Sequence, residues 1–136
     1  MRLPFVEEQP LFYNTYSLTM QKVFSIPQIR EADRYTIENE PIASVDLMER
    51  AARACYTWMV SNIKDLDTAT VIVVCGMGNN GGDGLALARM LTTAGVRVDV
   101  YVIALSDKAT PDFEINKQRL SNMDVNVCNV SSAEEI

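Results

Sequence analysis

The sequence predicts an α/β fold built on a mainly parallel sheet, and three observations carry that expectation. A short, almost wholly apolar and β-branched run, residues 70–74, leads into a glycine-dense loop, "CGMGNNGGDG". Beyond it, helical and strand-like patterns alternate: a helix over 85–94, a strand over 96–105, a helical stretch from Pro111 and a strand over 125–130. The punctuation also fits, with Gly95 at a left-handed helix end and Pro111 at a helix start. Strand–helix–strand–helix–strand order implies crossover connections and parallel strands with helices on the sheet faces. The run 70–74 reads as a strand buried on both faces, because it lacks polar alternation.

Ahead of the sheet lie two helical segments. Ser25 is placed to cap the first, Pro27 falls in its first turn, and Gln28 has the capping-box spacing. Ile29, Ala32 and Ile37 form a short apolar stripe, Arg30, Glu31, Asp33 and Arg34 a solvated face, and Pro41 stops the segment. Ser44 is expected to cap a longer helix reaching about residue 62. There Met48, Ala52, Cys55 and Met59 recur at helical spacing, widened by Leu47, Ala51 and Trp58. Core packing accounts for this methionine-rich face more simply than a cofactor box does.

The 136 residues suit one domain, which the pattern divides into an N-terminal extension, 1–23, and a folded unit, 24–136. The extension has no sustained apolar core, because Glu7, Glu8 and Gln9 interrupt it, so it reads as neither signal peptide nor membrane span. Met20 is a candidate alternative start, and Phe5, Phe12, Tyr13 and Tyr16 would need a surface to cover. Ser131 with Glu134, and Ser132 with Glu135, repeat the capping-box spacing. A further helix is therefore expected to begin there, and the domain to be an N-terminal piece of a larger one.

Twelve basic against eighteen acidic residues give a net charge of −6, which disfavours nucleic acid and anionic membranes as partners. The absence of histidine removes Ser-His-Asp and Cys-His catalysis and histidine metal sites from this chain. Cys55, Cys75 and Cys128 form no C-x-x-C pair, so a disulfide framework or zinc cluster is not expected and a reducing cytoplasm is. Cys75 borders the loop, but without a basic neighbour it reads as a small buried strand-end residue.

The loop is the chemical feature. Its glycines satisfy G-x-G-x-x-G at the C-terminal end of a parallel strand, where α/β proteins bind ligands. Two features separate it from a dinucleotide turn. The acidic residue expected about twenty positions on has no clear counterpart, since Asp99 falls inside the next strand and Asp107 in the following loop. Asn79, Asn80 and Asp83 also bring amide oxygens and a carboxylate to the helix entrance. That is a hard-oxygen environment suited to a cation, which could hold an anionic ligand beside helix N–H groups. Turn chemistry with Asp83 as a helix cap is the plainer alternative. It needs fewer polar or permissive residues than the loop contains.

"GMGNNGGDGLALARML", preceded by "IPQIREADRYTIENEP" and "LMERAA", resembles the YjeF N-terminal domain family, the NAD(P)H-hydrate epimerases. The likeness runs from about Phe24 to the C-terminus. It implies a Rossmann-like three-layer α/β sandwich, here cut short at its C-terminal end. It also implies epimerisation of NADHX and NADPHX, the hydrated forms of the reduced nicotinamide nucleotides. An ATP- or ADP-dependent dehydratase, fused or separate, would then restore the nucleotide. Carried over, Asn79, Asn80, Gly81, Gly82 and Asp83 contact substrate and Asn80 is a potassium ligand, while the catalytic acid–base residue is unknown and is expected beyond Ile136. A homodimer and a cytoplasmic location are implied as well. Ala52 departs from the glycine frequent at its position, and its small size should preserve helix packing. Two other readings compete: a non-catalytic ligand-binding or dimerisation module on the same fold, and an NAD dehydrogenase domain, which the missing acidic residue weakens.

Overall fold

The computed structural model describes residues 23–104 and 108–132. Its elements run α1 (Ile26–Asn39), α2 (Ser44–Asn62), β1 (Thr70–Cys75), α3 (Asn79–Thr93), β2 (Arg97–Ile103), α4 (Pro111–Ser121) and β3 (Asn126–Val130). The strands lie in the order β1-β2-β3 and all pair in parallel. Val71, Val73 and Cys75 stand opposite Val98, Val100 and Val102, and Val127 continues the row from Val100. This face packs against α3, with Leu85, Ala88, Leu91, Phe113 and Leu120 completing the core. The predicted α/β class with a parallel, Rossmann-like sheet is the class observed.

The opposite face departs from the expectation for β1. Ile72 and Val74 are 62% and 65% exposed, and the strand alternates instead of being buried throughout. An unbroken apolar run calls for cover on both faces, but among the described residues helices cover one face only. Cys75 is buried at the strand end, as expected, and burial pushes its thiol up from the ordinary value.

Helix α1 keeps the predicted start: the Gln28 side chain accepts from the Ser25 N–H at 2.9 Å. Along it, the Arg34 guanidinium is shared between Glu31 and Glu38. Helix α2 starts differently. Its N-cap is Ala43, and Ser44, the first helical residue, donates its hydroxyl to Asp112 at 2.6 Å. Ser44 lies one residue inside the helix, so the cap position falls to Ala43, which has no side-chain oxygen to offer. Ala52, Ala86 and Met90 bring α2 onto α3, so alanine at position 52 does preserve close packing. The end of α3 follows the prediction. Gly95 has φ +83°, its N–H bonds to Thr92 and that of Val96 to Leu91, a double closure that only a left-handed residue permits.

Three expectations fall outside the described residues: the structure of the extension up to residue 22, Leu105 at the end of the second strand with Asp107 after it, and the helix expected after Ser132. Among the described residues no helix is long and apolar enough to cross a membrane.

Candidate functional site

The main correction concerns the loop itself. The helix expected from Leu85 begins six residues earlier, at Asn79, with Gly78 as N-cap. The N-N-G-G-D-G stretch is therefore the opening of α3, and Asp83, the fifth helical residue, is not its cap. Glycine inside a helix disfavours it by about 1 kcal/mol relative to alanine, which is why the pattern reads as a loop. Packing overrides that propensity. A Cβ on Gly81 would overlap the Gly76 carbonyl oxygen and stand 2.8 Å from its carbon. One on Gly82 would stand 2.7 Å from the Met48 sulfur. The two glycines let α3 start hard against the end of β1 and against α2.

Asn79 and Asn80 form the exposed rim of this first turn, while Gly81 and Gly82 are buried beneath it. Helix geometry leaves the N–H groups of Asn79, Asn80 and Gly81 without an intrahelical acceptor, and Gly78 has no side chain to receive them. The Gly82 N–H closes the turn on the Gly78 carbonyl at 3.0 Å. Those free donors, together with the positive end of the helix dipole, favour an anion at the end of β1.

Asn79 and Asp83 face one side, into a cleft of about 570 Å³ between α1 and α2. Ile29, Ile37, Leu47, Met48 and Ala51 give it apolar walls, and Arg30, Asp33, Arg34 and Glu38 give it charge. Burial, and after it the charge of Asp33, holds the Asp83 carboxyl above its ordinary value. The arrangement thus joins a turn with N–H groups suited to an anion to a cleft whose inner carboxyl retains a proton more readily than one in water. Asn80 does not line this cleft, so the five predicted residues divide between a rim, a cleft wall and a buried floor. Among the described residues no group of three or more His, Cys, Asp or Glu gathers to hold a metal ion. The amide of Asn80 suits a hard cation, but one donor is not a coordination shell.

Support from α4 was not legible in the sequence. The Thr110 N–H donates to the Met77 carbonyl at 2.9 Å, and the Phe113 ring lies 3.4 Å from the Cβ position of Gly81. Asp33, on the face of α1 that the sequence marks as solvated, lines the cleft and acts on Asp83. Its spacing from Ile29 and Ile37 on one helical face was the available signal.

Comparison with known proteins agrees with this architecture. The family described as YjeF-related protein N-terminus matches residues 44–136. An NAD(P)H-hydrate epimerase of Lentilactobacillus buchneri is 42% identical over 93 residues, 68% of this chain and 43% of that protein. The bifunctional NAD(P)H-hydrate repair enzyme Nnr of Salinibacter ruber is 40% identical over 101 residues, 74% of this chain and 19% of that protein. The crystal structure of yeast ynu0 superposes with a TM-score of 0.60 at 27% identity, covering 80% of this chain and 47% of that one. The chain spans less than half the length of each of these relatives. With residues 44–136, more than half of its length, matching the family model, the chain belongs to the YjeF-related protein N-terminus family.

Proposed function

We propose that the protein is an NAD(P)H-hydrate epimerase, an isomerase that interconverts the R and S forms of NADHX and NADPHX in nicotinamide nucleotide repair. The observation that carries this reading is the open first turn of α3, whose unpaired N–H groups offer a seat for the substrate's phosphates. Support comes from relatives of that name at 42% and 38% identity. Epimerisation opens and re-forms the C–O bond at a ring carbon flanked by nitrogen and oxygen, with a proton delivered to the departing oxygen and taken back. Asn79, Asn80 and Gly81 bind and orient through their N–H groups, and Gly82 keeps the turn close to β1. Asp83 orients the substrate from the cleft by hydrogen bonding.

Potassium is part of the proposal, with the Asn80 side chain as one ligand and the others supplied from outside the described residues. It would add positive charge beside the bound phosphates. The bifunctional Salinibacter relative supports a dehydratase acting on the product, whether fused or separate. A homodimer, a cytoplasmic location and a folded unit beginning near residue 24 complete the reading. The test is to supply one purified hydrate epimer to the natural full-length protein and follow appearance of the other by chromatography. Interconversion well above the spontaneous rate is expected; a rate equal to the spontaneous one would reject the proposal.

A further inference from the structure

Asn116 of α4 is 1% exposed, the one buried polar side chain among the described residues. Its Nδ2 donates to the Asp112 carbonyl at 3.0 Å and to the Met48 thioether at 3.3 Å. Reversing the amide would set its oxygen against the Asp112 carbonyl, so the orientation is fixed. That leaves Oδ1 buried with no hydrogen-bond partner. A buried acceptor without a partner opposes folding, and a leucine, branched at the same carbon, would avoid the loss. Packing alone therefore does not account for an asparagine here.

Its effect falls on Met48. A methionine has three rotatable side-chain bonds and settles into whatever gap surrounds it, so a directed hydrogen bond to sulfur selects one placement. In that placement the sulfur lies over Gly82, 2.7 Å from its Cβ position, while the side chain also walls the cleft beside Asp83. Phe113, one helical turn earlier, backs Gly81 directly. Both glycines of the turn thus rest on α4: Gly81 on the Phe113 ring, and Gly82 on the Phe113 Cα, 3.4 Å from its Cβ position, and on a thioether held by Asn116.

We propose that Asn116 is a positioning residue for the first turn of α3, fixing the Met48 thioether over Gly82 so that the 79–83 turn and its cleft keep the geometry that takes substrate. The substrate part rests on the epimerase reading; the positioning part does not. Asn116→Leu should leave the melting temperature unchanged or raised, since it removes the unpaired acceptor. Its KM for the hydrated nucleotide should rise about three- to tenfold with kcat altered less than about twofold, the pattern of lost uniform binding. Met48→Leu should show the same split, and the double variant should be no worse than either single one, because both remove one interaction. Amide hydrogen exchange at Gly82 and Asp83 in the unliganded protein should quicken about tenfold in Asn116→Leu despite its unreduced stability. Unchanged KM and unchanged exchange would overturn the proposal. A wild-type protein that does not epimerise would reject the functional reading, and the exchange result would then decide the positioning alone. Should Asn116→Leu fail to fold, a folded Met48→Leu with wild-type KM and exchange would overturn it equally.

Discussion

The Gly76 carbonyl and Gly81 are packed so closely that no side chain fits between them: a Cβ on Gly81 would stand 2.8 Å from the Gly76 carbon and overlap its oxygen. Gly81→Ala should therefore destabilise the protein by about 2 kcal/mol or more, although alanine favours helix by about 1 kcal/mol. Gly84 is the control. Its Cβ would meet the Val73 Cγ1 at 3.3 Å and the Cys75 Cβ at 3.5 Å, a fit that a small shift accommodates. Gly84→Ala should stay within about 1 kcal/mol of the wild type in denaturant titration, its helix gain offsetting the crowding.

Asp83 is held above its ordinary value by burial and by Asp33, so the folded chain keeps this proton to higher pH than the unfolded chain does. The folded state then binds more protons between the two values, and stability falls as pH rises through that window. Asp83→Asn removes the buried charge. Its melting temperature at neutral pH should equal or exceed that of the wild type, and its stability should decline less from acid to neutral pH. Catalytic efficiency should nevertheless fall roughly tenfold, through loss of a charge-assisted contact with substrate. A lowered melting temperature with unchanged turnover would show that Asp83 serves the fold alone.

Glu49 of α2 ties the helical layer together. It accepts from Arg89 of α3 and has Arg53 and Arg119, the latter on α4, at 3.8 Å. Arg89 is mostly buried, and its Nε has no hydrogen-bond partner. Glu49→Gln should lower stability by about 1–2 kcal/mol in a thermal melt, since charge-assisted bonds between partly buried groups exceed surface pairs. Added salt should narrow the gap only slightly, because the pair is shielded from solvent.

Thr110 and Ser44 both precede or open helices, yet only Thr110 caps, accepting from the Phe113 N–H. Thr110→Ala should cost about 1 kcal/mol. Ser44→Ala, which loses one exposed hydrogen bond to Asp112, should cost less than about 0.5 kcal/mol in the same assay.

What was legible in the sequence followed from periodicity and punctuation. The β-branched runs, Gly95 and Pro111 each have a local physical meaning, and the elements they mark are present with ends shifted by one or two residues. The start of α3 was not legible, because two glycines and two asparagines favour a loop locally. Only contact with the Gly76 carbonyl and Met48 makes them helical. Ser44 marks the helix start one residue late, because the chain is already helical there and Ala43 holds the cap position. Asn116 gave no signal, since an asparagine in a polar helical stretch reads as surface. Residue type alone marked Asn79, Asn80 and Asp83 as candidate site residues; which of them face the cleft depended on where the helix begins.

The most direct test of the central claim is a nuclear magnetic resonance titration of the isotope-labelled natural protein with NADHX, read at individual backbone amides. If the first turn of α3 seats the phosphates, the largest shifts fall on the amides of Asn79, Asn80 and Gly81, with smaller ones at Asp83 and Met48. Saturable shifts confined to other parts of the sheet, with those three amides unmoved, would contradict the account.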